Sequence, residues 1–382
     1  MISKKLTIII VTIILLVSVG GSYYFFSQKP DLSGYKEPVP ADTSKLSADN
    51  GPKTQPCPLN GAFYSEAQRK IWESRRPLGV MIENHLDARP QSGLSSADVV
   101  YEAVAEGGIT RFLSIFYCQD ATPIGPVRSA RIYFLQTLQE YGSNPLYAHV
   151  GGANAPGPAD ALGEIQDLGW DNYNDLNQFG VPFPYYYRDY ERLPNVATEH
   201  TMYSSTSKLW EFAKNKRKLS NVDKDGKAWD KDFVSWKFKD DEPTAQRGST
   251  DKISFYFWQQ FGDFNVQWNY DKQTNTYKRV NGVSPHVDKD TGKQISAKNV
   301  VIVLADESVA NDGYEKGQHL LYHITGNGDG YLFQNGKATK TTWKKKSPKD
   351  RMQFYDPSGQ EVSFVRGQIW VEITPLGNKI TY

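Results

Sequence analysis

Four arginines, Arg89, Arg111, Arg128 and Arg131, stand within residues 80–134, each at or near the end of a short apolar run, with Glu83, Asp87, Asp98, Glu102 and Glu106 among them. A guanidinium grips phosphate or carboxylate oxygens two at a time, and open α/β sheets hold ligands at strand ends, so the pattern predicts an anion-binding site. The stretch Gly125-Pro126-Val127-Arg128-Ser129-Ala130-Arg131 adds a second expectation. A helix beginning near Ser129, capped by that serine, would aim its free N–H groups to the same side as Arg128. The alternative is that the arginines pair with Glu83, Asp98, Glu102 and Glu106 and only satisfy the sheet ends. His149, beside Gly151-Gly152, and His200, in Thr198-Glu199-His200-Thr201, are further candidate ligands, His200 also a candidate metal ligand or general base. Asp98 and Glu106 are candidate holders of a divalent cation such as magnesium against the anion's oxygens. No GxSxG, Walker A, GxGxxG or HExxH pattern occurs, so the motifs of nucleophile-elbow serines, P-loops and zincins are absent.

The elements that must position these residues alternate. Residues 78–82, 98–104 and 111–117 read as strands, 129–141 as a helix, 146–150 as a strand, and 158–168 and 204–218 as helices. That order is an α/β signature with a mixed sheet. Residues 170–192 are aromatic and polar, reading as a lid or a packed insertion. From residue 253 short strands recur with Gly-containing turns between them, so the C-terminal part is expected to be β-rich, a sandwich, barrel or curved sheet. Phe255, Phe257, Trp258, Phe261, Phe264 and Trp268 fall in this part; core packing is their ordinary reading and a glycan-stacking platform the alternative.

Residues 6–26 carry no charge and are rich in Ile, Leu and Val, long enough to span about 30 Å as a helix. Lys4 and Lys5 precede them, which predicts a cytoplasmic N-terminus and an extracytoplasmic bulk. A cleaved signal peptide is the alternative. The expected organisation is therefore α+β: a cytoplasmic tip and transmembrane anchor (residues 1–28), a tether (29–70), an α/β domain (71–219) and a β-rich domain (220–382). Net charge is +1 in 382 residues, without the basic excess of a nucleic-acid binder, and 13% aromatics with nine tryptophans call for a folded core. Outside the membrane Cys57 and Cys118 can pair, closing a loop of roughly 60 residues for about 3–5 kcal/mol.

The segments PLGVMIENHLDARPQSGL, ADVVYEAVAEGGITRFLSIF and GPVRSARIYF resemble the N-terminal domain of the YerB-type putative lipoprotein family of bacteria. The stretches GVSPHVDKDTGKQISAKNVVIV, GYLFQNGKATKTTWKK and FYDPSGQEVSFVRGQIWVEI resemble its C-terminal domain, so the likeness covers roughly residues 75–375. The resemblance implies two domains and an envelope location rather than an activity. The chain departs from it at the anchor, where a transmembrane segment replaces the lipid-modified cysteine. A weaker likeness is to the LytR–CpsA–Psr phosphotransferases, in the order of residues 84–89, Thr110-Arg111, residues 126–131 and residues 149–152. That likeness implies arginines on a polyprenyl pyrophosphate and an aspartate on magnesium, but Ser129 stands where the aspartate would be.

The functional expectation is a single-pass membrane protein whose extracytoplasmic α/β domain binds an anion through Arg89, Arg111, Arg128, Ser129, Arg131, His149 and His200. A polyprenyl (pyro)phosphate-linked wall precursor fits that chemistry, with phosphotransfer as a dependent reading. The alternative is a non-catalytic module that binds wall polymer or protein through the β domain and the aromatic loop.

Overall fold

The computed structural model describes residues 51–314 and 318–382. Five strands from the first part of this region join the main sheet: β1 (Leu78–Glu83), β2 (Val99–Glu106), β3 (Ile109–Phe116), β4 (Leu146–His149) and β5 (Asp175–Asn177). The small strands β6 (Lys252–Phe255), β7 (Val266–Asp271), β8 (Thr276–Asn281), β9 (Ser284–Pro285) and β10 (Ser296–Ala297) follow. The chain finishes with β11 (Asn299–Val309), β12 (Leu320–His323), β13 (Gly326–Gln334), β14 (Lys337–Lys345), β15 (Gln353–Tyr355) and β16 (Ile369–Pro375). Four helices accompany them: α1 (Glu66–Trp72), α2 (Ile132–Leu138), α3 (Ala161–Asp167) and α4 (Thr206–Arg217).

One mixed sheet of 11 strands runs β15-β14-β13-β11-β16-β2-β3-β1-β4-β5, with β12 paired to β11. The β-rich C-terminal segment does not close on itself as a sandwich or barrel. Its last strand, β16, lies parallel to both β11 and β2, in register from Ile369 opposite Val99 to Glu372 opposite Glu102. The apolar runs of β1, β2 and β3 are buried along almost their whole length because both faces of the sheet are covered. On one face α2 approaches so closely that a Cβ at Gly79 would come within 2.7 Å of Leu138 Cδ1. On the other face the small sheet β6–β10 packs down, with Phe112 against Trp370 at 5.5 Å and Trp268 against Trp370 at 5.3 Å between ring centroids. Adjacent residues Phe112 and Leu113 thus serve opposite layers, as strand alternation requires.

Two buried polar clusters tie the early and late parts of the chain together. Arg279 of β8 is boxed by Phe112, Trp268 and Trp370 and pairs with Glu102 of β2. Glu140 accepts from Lys345 at 2.6 Å and from Arg351 at 2.8 Å. The disulfide Cys57–Cys118 is formed and clips the lead-in segment to the end of β3.

The expected membrane span at residues 6–26 and most of the tether lie outside the described residues. Among the described residues no helix is long and apolar enough to cross a membrane. The aromatic residues 170–192 form a packed insertion at the sheet edge: β5 joins β4, and the buried Tyr186 donates to the Leu176 carbonyl. Phe255, Phe257, Phe264 and Trp268 are core, so these rings offer no glycan platform. Phe179 and Phe183 stay exposed, at 78% and 62%.

Candidate functional site

The strands β1, β2 and β4 are mutually parallel through the antiparallel β3, so Glu83, Glu106 and His149 mark one edge of the sheet and Arg111 enters there. Residues 127–130 cross this edge as extended chain. Val127 bridges Ile82, Arg128 N–H donates to the Met81 carbonyl at 2.9 Å, and Ala130 N–H donates to the Gly151 carbonyl at 2.9 Å. These bonds hold Ser129 out of helical geometry. The helix α2 starts at Ile132, Arg131 occupies the cap position, and no side chain caps it. The expected Ser129 cap and its cradle of free N–H groups are therefore not formed. Ser129 instead offers its carbonyl, which accepts from Arg111 Nη1 at 3.0 Å.

Three of the four arginines converge. Arg131 Nη2 meets Glu106 Oε2 at 2.6 Å and Arg111 Nη2 meets Glu106 Oε1 at 3.3 Å, so two buried guanidinium groups lean on one carboxylate. Arg128 Nε pairs with Glu83 Oε1 at 3.1 Å, and the other Glu83 oxygen takes His200 Nδ1 at 2.9 Å. Arg128 and Glu106 are the open members, each with 24% of its side chain exposed. Burial and the neighbouring Arg131 charge push the Arg111 guanidinium down to about 10. Burial pushes the Glu106 carboxyl up, but Arg111 and Arg131 outweigh it and leave the group below its ordinary range. Glu83 behaves alike, with His200 and Arg128 overcoming burial. The hydrogen bond to Glu83 raises His200. The Nε atoms of Arg111 and Arg131 are buried with no hydrogen-bond partner. The edge thus gathers three guanidinium groups and His200 around two carboxylates.

The remaining sequence candidates lie elsewhere or serve the fold. Arg89 is not in the cluster: it spans to Asn84 and donates Nη1 to the Asp263 carbonyl at 2.9 Å, over the Phe264 ring. It is pulled there because residues 263–264 of the small sheet layer cover that corner, a contact across 174 positions that the local sequence does not encode. His149 is fully buried, with Nε2 on Asp175 at 2.6 Å and Nδ1 on the Gly151 carbonyl at 2.7 Å; it fixes the Gly151 turn along which Ala130 runs and presents no free nitrogen. Asp98 cannot share a metal with Glu106, because it precedes β2 and Glu106 ends it, a separation of roughly 25 Å at strand rise. Asp98 is buried under the disulfide and accepts from Tyr117 N at 2.7 Å, Cys118 N at 2.9 Å and Asn60 Nδ2 at 2.8 Å. Burial nevertheless pushes its carboxyl up to about 7 against those donors. Glu106, clasped by two guanidinium groups, is a poor cation ligand. Sequence reading took Glu83 only as a possible arginine partner and gave His85 no role; Glu83 ends β1 and His85 lies two residues on, in the same turn as Asp87.

The fold, with its strand-edge arginines and its C-terminal strand threaded beside β2, defines a class. Residues 65–220 match the family described as "Protein of unknown function (DUF3048) N-terminal domain", and residues 254–371 match the corresponding C-terminal domain. The chain is 32% identical over 345 residues to "Putative lipoprotein YerB" of Bacillus subtilis (strain 168), covering 89% of each chain. The crystal structure of the YerB protein from Bacillus subtilis superposes with a TM-score of 0.67 at 28% identity, covering 86% of this chain and 100% of that one. The chain belongs to the YerB family of two-domain proteins. The likeness to the LytR–CpsA–Psr phosphotransferases gains no support from these matches.

Proposed function

We propose that the Arg111–Arg128–Arg131 edge binds an anionic ligand, and that its natural ligand is a lipid-linked phosphate or pyrophosphate of the cell envelope. The observation that carries the reading is the imbalance at Glu106: two buried arginines share one carboxylate, and both keep an unpartnered Nε. A buried cation short of its counter-charge is costly, and a bound phosphate would supply both charge and acceptors. Arg128 and Glu106 form the opening, so a ligand head can reach the cluster from solvent. Phe179 supports an apolar tail on that ligand, since its exposed ring reaches within 3.4 Å of where a Gly151 Cβ would lie, beside the Ala130 crossing. Residues 6–26, with their charge-free apolar run, and the relative's description as a lipoprotein both support attachment to the outer face of the membrane.

The test is equilibrium binding of geranylgeranyl pyrophosphate to the full-length protein in neutral detergent micelles, which hold the apolar residues 6–26 equally in wild type and variant. Arg128→Gln removes one charge-assisted contact and should weaken binding about 10- to 100-fold, with an unchanged circular dichroism spectrum. Equal binding by wild type and variant, or none by wild type, rejects the reading.

A further inference from the structure

Just past β1 the chain turns through a short 3-10 segment, Leu86–Ala88, entered from His85. The His85 ring stacks on that of His200, 4.8 Å apart and tilted by 11°, and Asp87 Oδ2 lies 3.7 Å from His85 Nδ1. One ligand atom from each of His85, Asp87 and His200 falls within 4.8 Å of the others. We propose that these three residues bind one divalent transition-metal ion of the zinc class.

His200 is the buried member of the three. Glu83 holds its Nδ1 at 2.9 Å, which fixes the ring and leaves ligation to Nε2, for which no hydrogen bond is formed among the described residues. A carboxylate on the far nitrogen is the arrangement that orients metal-binding histidines and makes them better donors. The local charge favours a cation. Glu83 and Glu199 act on His200 with the sign of an anion, Asp87 sits beside His85, and Arg128 alone opposes them. Two imidazoles and a carboxylate select zinc-class ions over magnesium, which prefers oxygen ligands and water. Imidazole lone pairs lie in the ring plane, so the stacked rings do not yet aim at one point: the His85 ring must rotate out of the stack and ligate through Nε2 or give up the Asp87 N–H bond on its Nδ1, and the donor atoms must close from within 4.8 Å to about 3.3 Å for tetrahedral ligation at about 2.0–2.1 Å. The outer two members can do this: the side chains of His85 and Asp87 are 34% and 59% exposed. Three protein ligands leave a fourth position open to water or to an anionic ligand. The proposal does not rest on anion binding, although the two sites meet at Glu83 and His200.

The experiment is a titration of tag-free, chelator-stripped full-length protein with Co2+, read by visible absorption, and with Zn2+ by competition. One ion per chain is expected, with Zn2+ displacing Co2+ and about 10 mM Mg2+ failing to compete. His85→Ala and Asp87→Asn should each lower Zn2+ affinity at least about tenfold, and Glu83→Gln about 10- to 100-fold. His323→Ala, at an exposed histidine on β12, should leave it unchanged. Because His85 and Asp87 are partly exposed, their variants should keep the metal-free thermal midpoint, so an altered fold does not account for a loss of binding. No saturable binding below about 1 mM Zn2+, or equal affinity in the His85→Ala/Asp87→Asn double variant, overturns the proposal.

Discussion

Replacing Glu106 by glutamine tests the charge imbalance at the sheet edge from inside. The change keeps the side chain's shape but removes the one carboxylate that Arg111 and Arg131 share, at 3.3 and 2.6 Å. Breaking a buried ion pair by removing one partner costs about 3–5 kcal/mol. Glu106 is 24% exposed, and each arginine keeps a carbonyl acceptor, Ser129 for Arg111 and Ala130 for Arg131. These features bring the expected loss down to about 2–3 kcal/mol. The same substitution removes a negative charge from beside the bound anion, so affinity for pyrophosphate should rise, by tenfold for each 1.4 kcal/mol gained. A ligand at 100 times its Kd adds about 2.7 kcal/mol to stability. Urea unfolding of wild type and Glu106→Gln, with and without pyrophosphate, reads both effects. Pyrophosphate should recover most of the variant's loss and stabilise the variant more than the wild type. A loss below about 0.5 kcal/mol, or equal shifts with pyrophosphate in both proteins, would refute the reasoning.

Other expectations follow from the same structure. Reducing Cys57–Cys118, which are 61 positions apart, should lower stability by about 3–5 kcal/mol, checked by urea midpoints with and without dithiothreitol. Lys345→Ala strands the buried Glu140 and should cost about 3–5 kcal/mol in chemical unfolding. Glu83 sits below its ordinary range in the fold, so its contribution is present above the unfolded carboxylate value and is lost as pH falls through the depressed one. His200 is raised, so its contribution is complete below its unfolded value and is lost as pH climbs through the raised one. Glu83→Gln should flatten both limbs of a stability–pH profile, whereas His200→Gln should flatten the upper limb and only weaken the lower one, where Arg128 still holds Glu83 down.

Strands β1 to β3 were legible because continuous apolar runs bounded by turns have few other homes. The meeting of Arg111 with Glu106 was legible for the same reason, since strand polarity alone brings the start of β3 to the end of β2. The start of α2 was not, because the bonds from Met81 and Gly151 that keep residues 128–130 extended are tertiary. Arg89 was misplaced because its partner, Asp263, arrives from the small sheet layer. Spacing also misled for Asp98 and Glu106, which flank one strand and so sit at opposite edges of the sheet. The hairpins made a β-rich C-terminal part legible, as a sandwich, barrel or curved sheet, but the parallel insertion of β16 between β11 and β2 is a long-range pairing with no local signal.

The central claim is that three arginines at one sheet edge hold an anion. A crystal structure of the protein grown with pyrophosphate addresses it directly. The account predicts phosphate oxygens within about 3 Å of Arg128 and of at least one of Arg111 and Arg131, with Glu106 turned aside or bridged. Pyrophosphate bound only elsewhere, with both Glu106 ion pairs unchanged at saturating ligand, would contradict it.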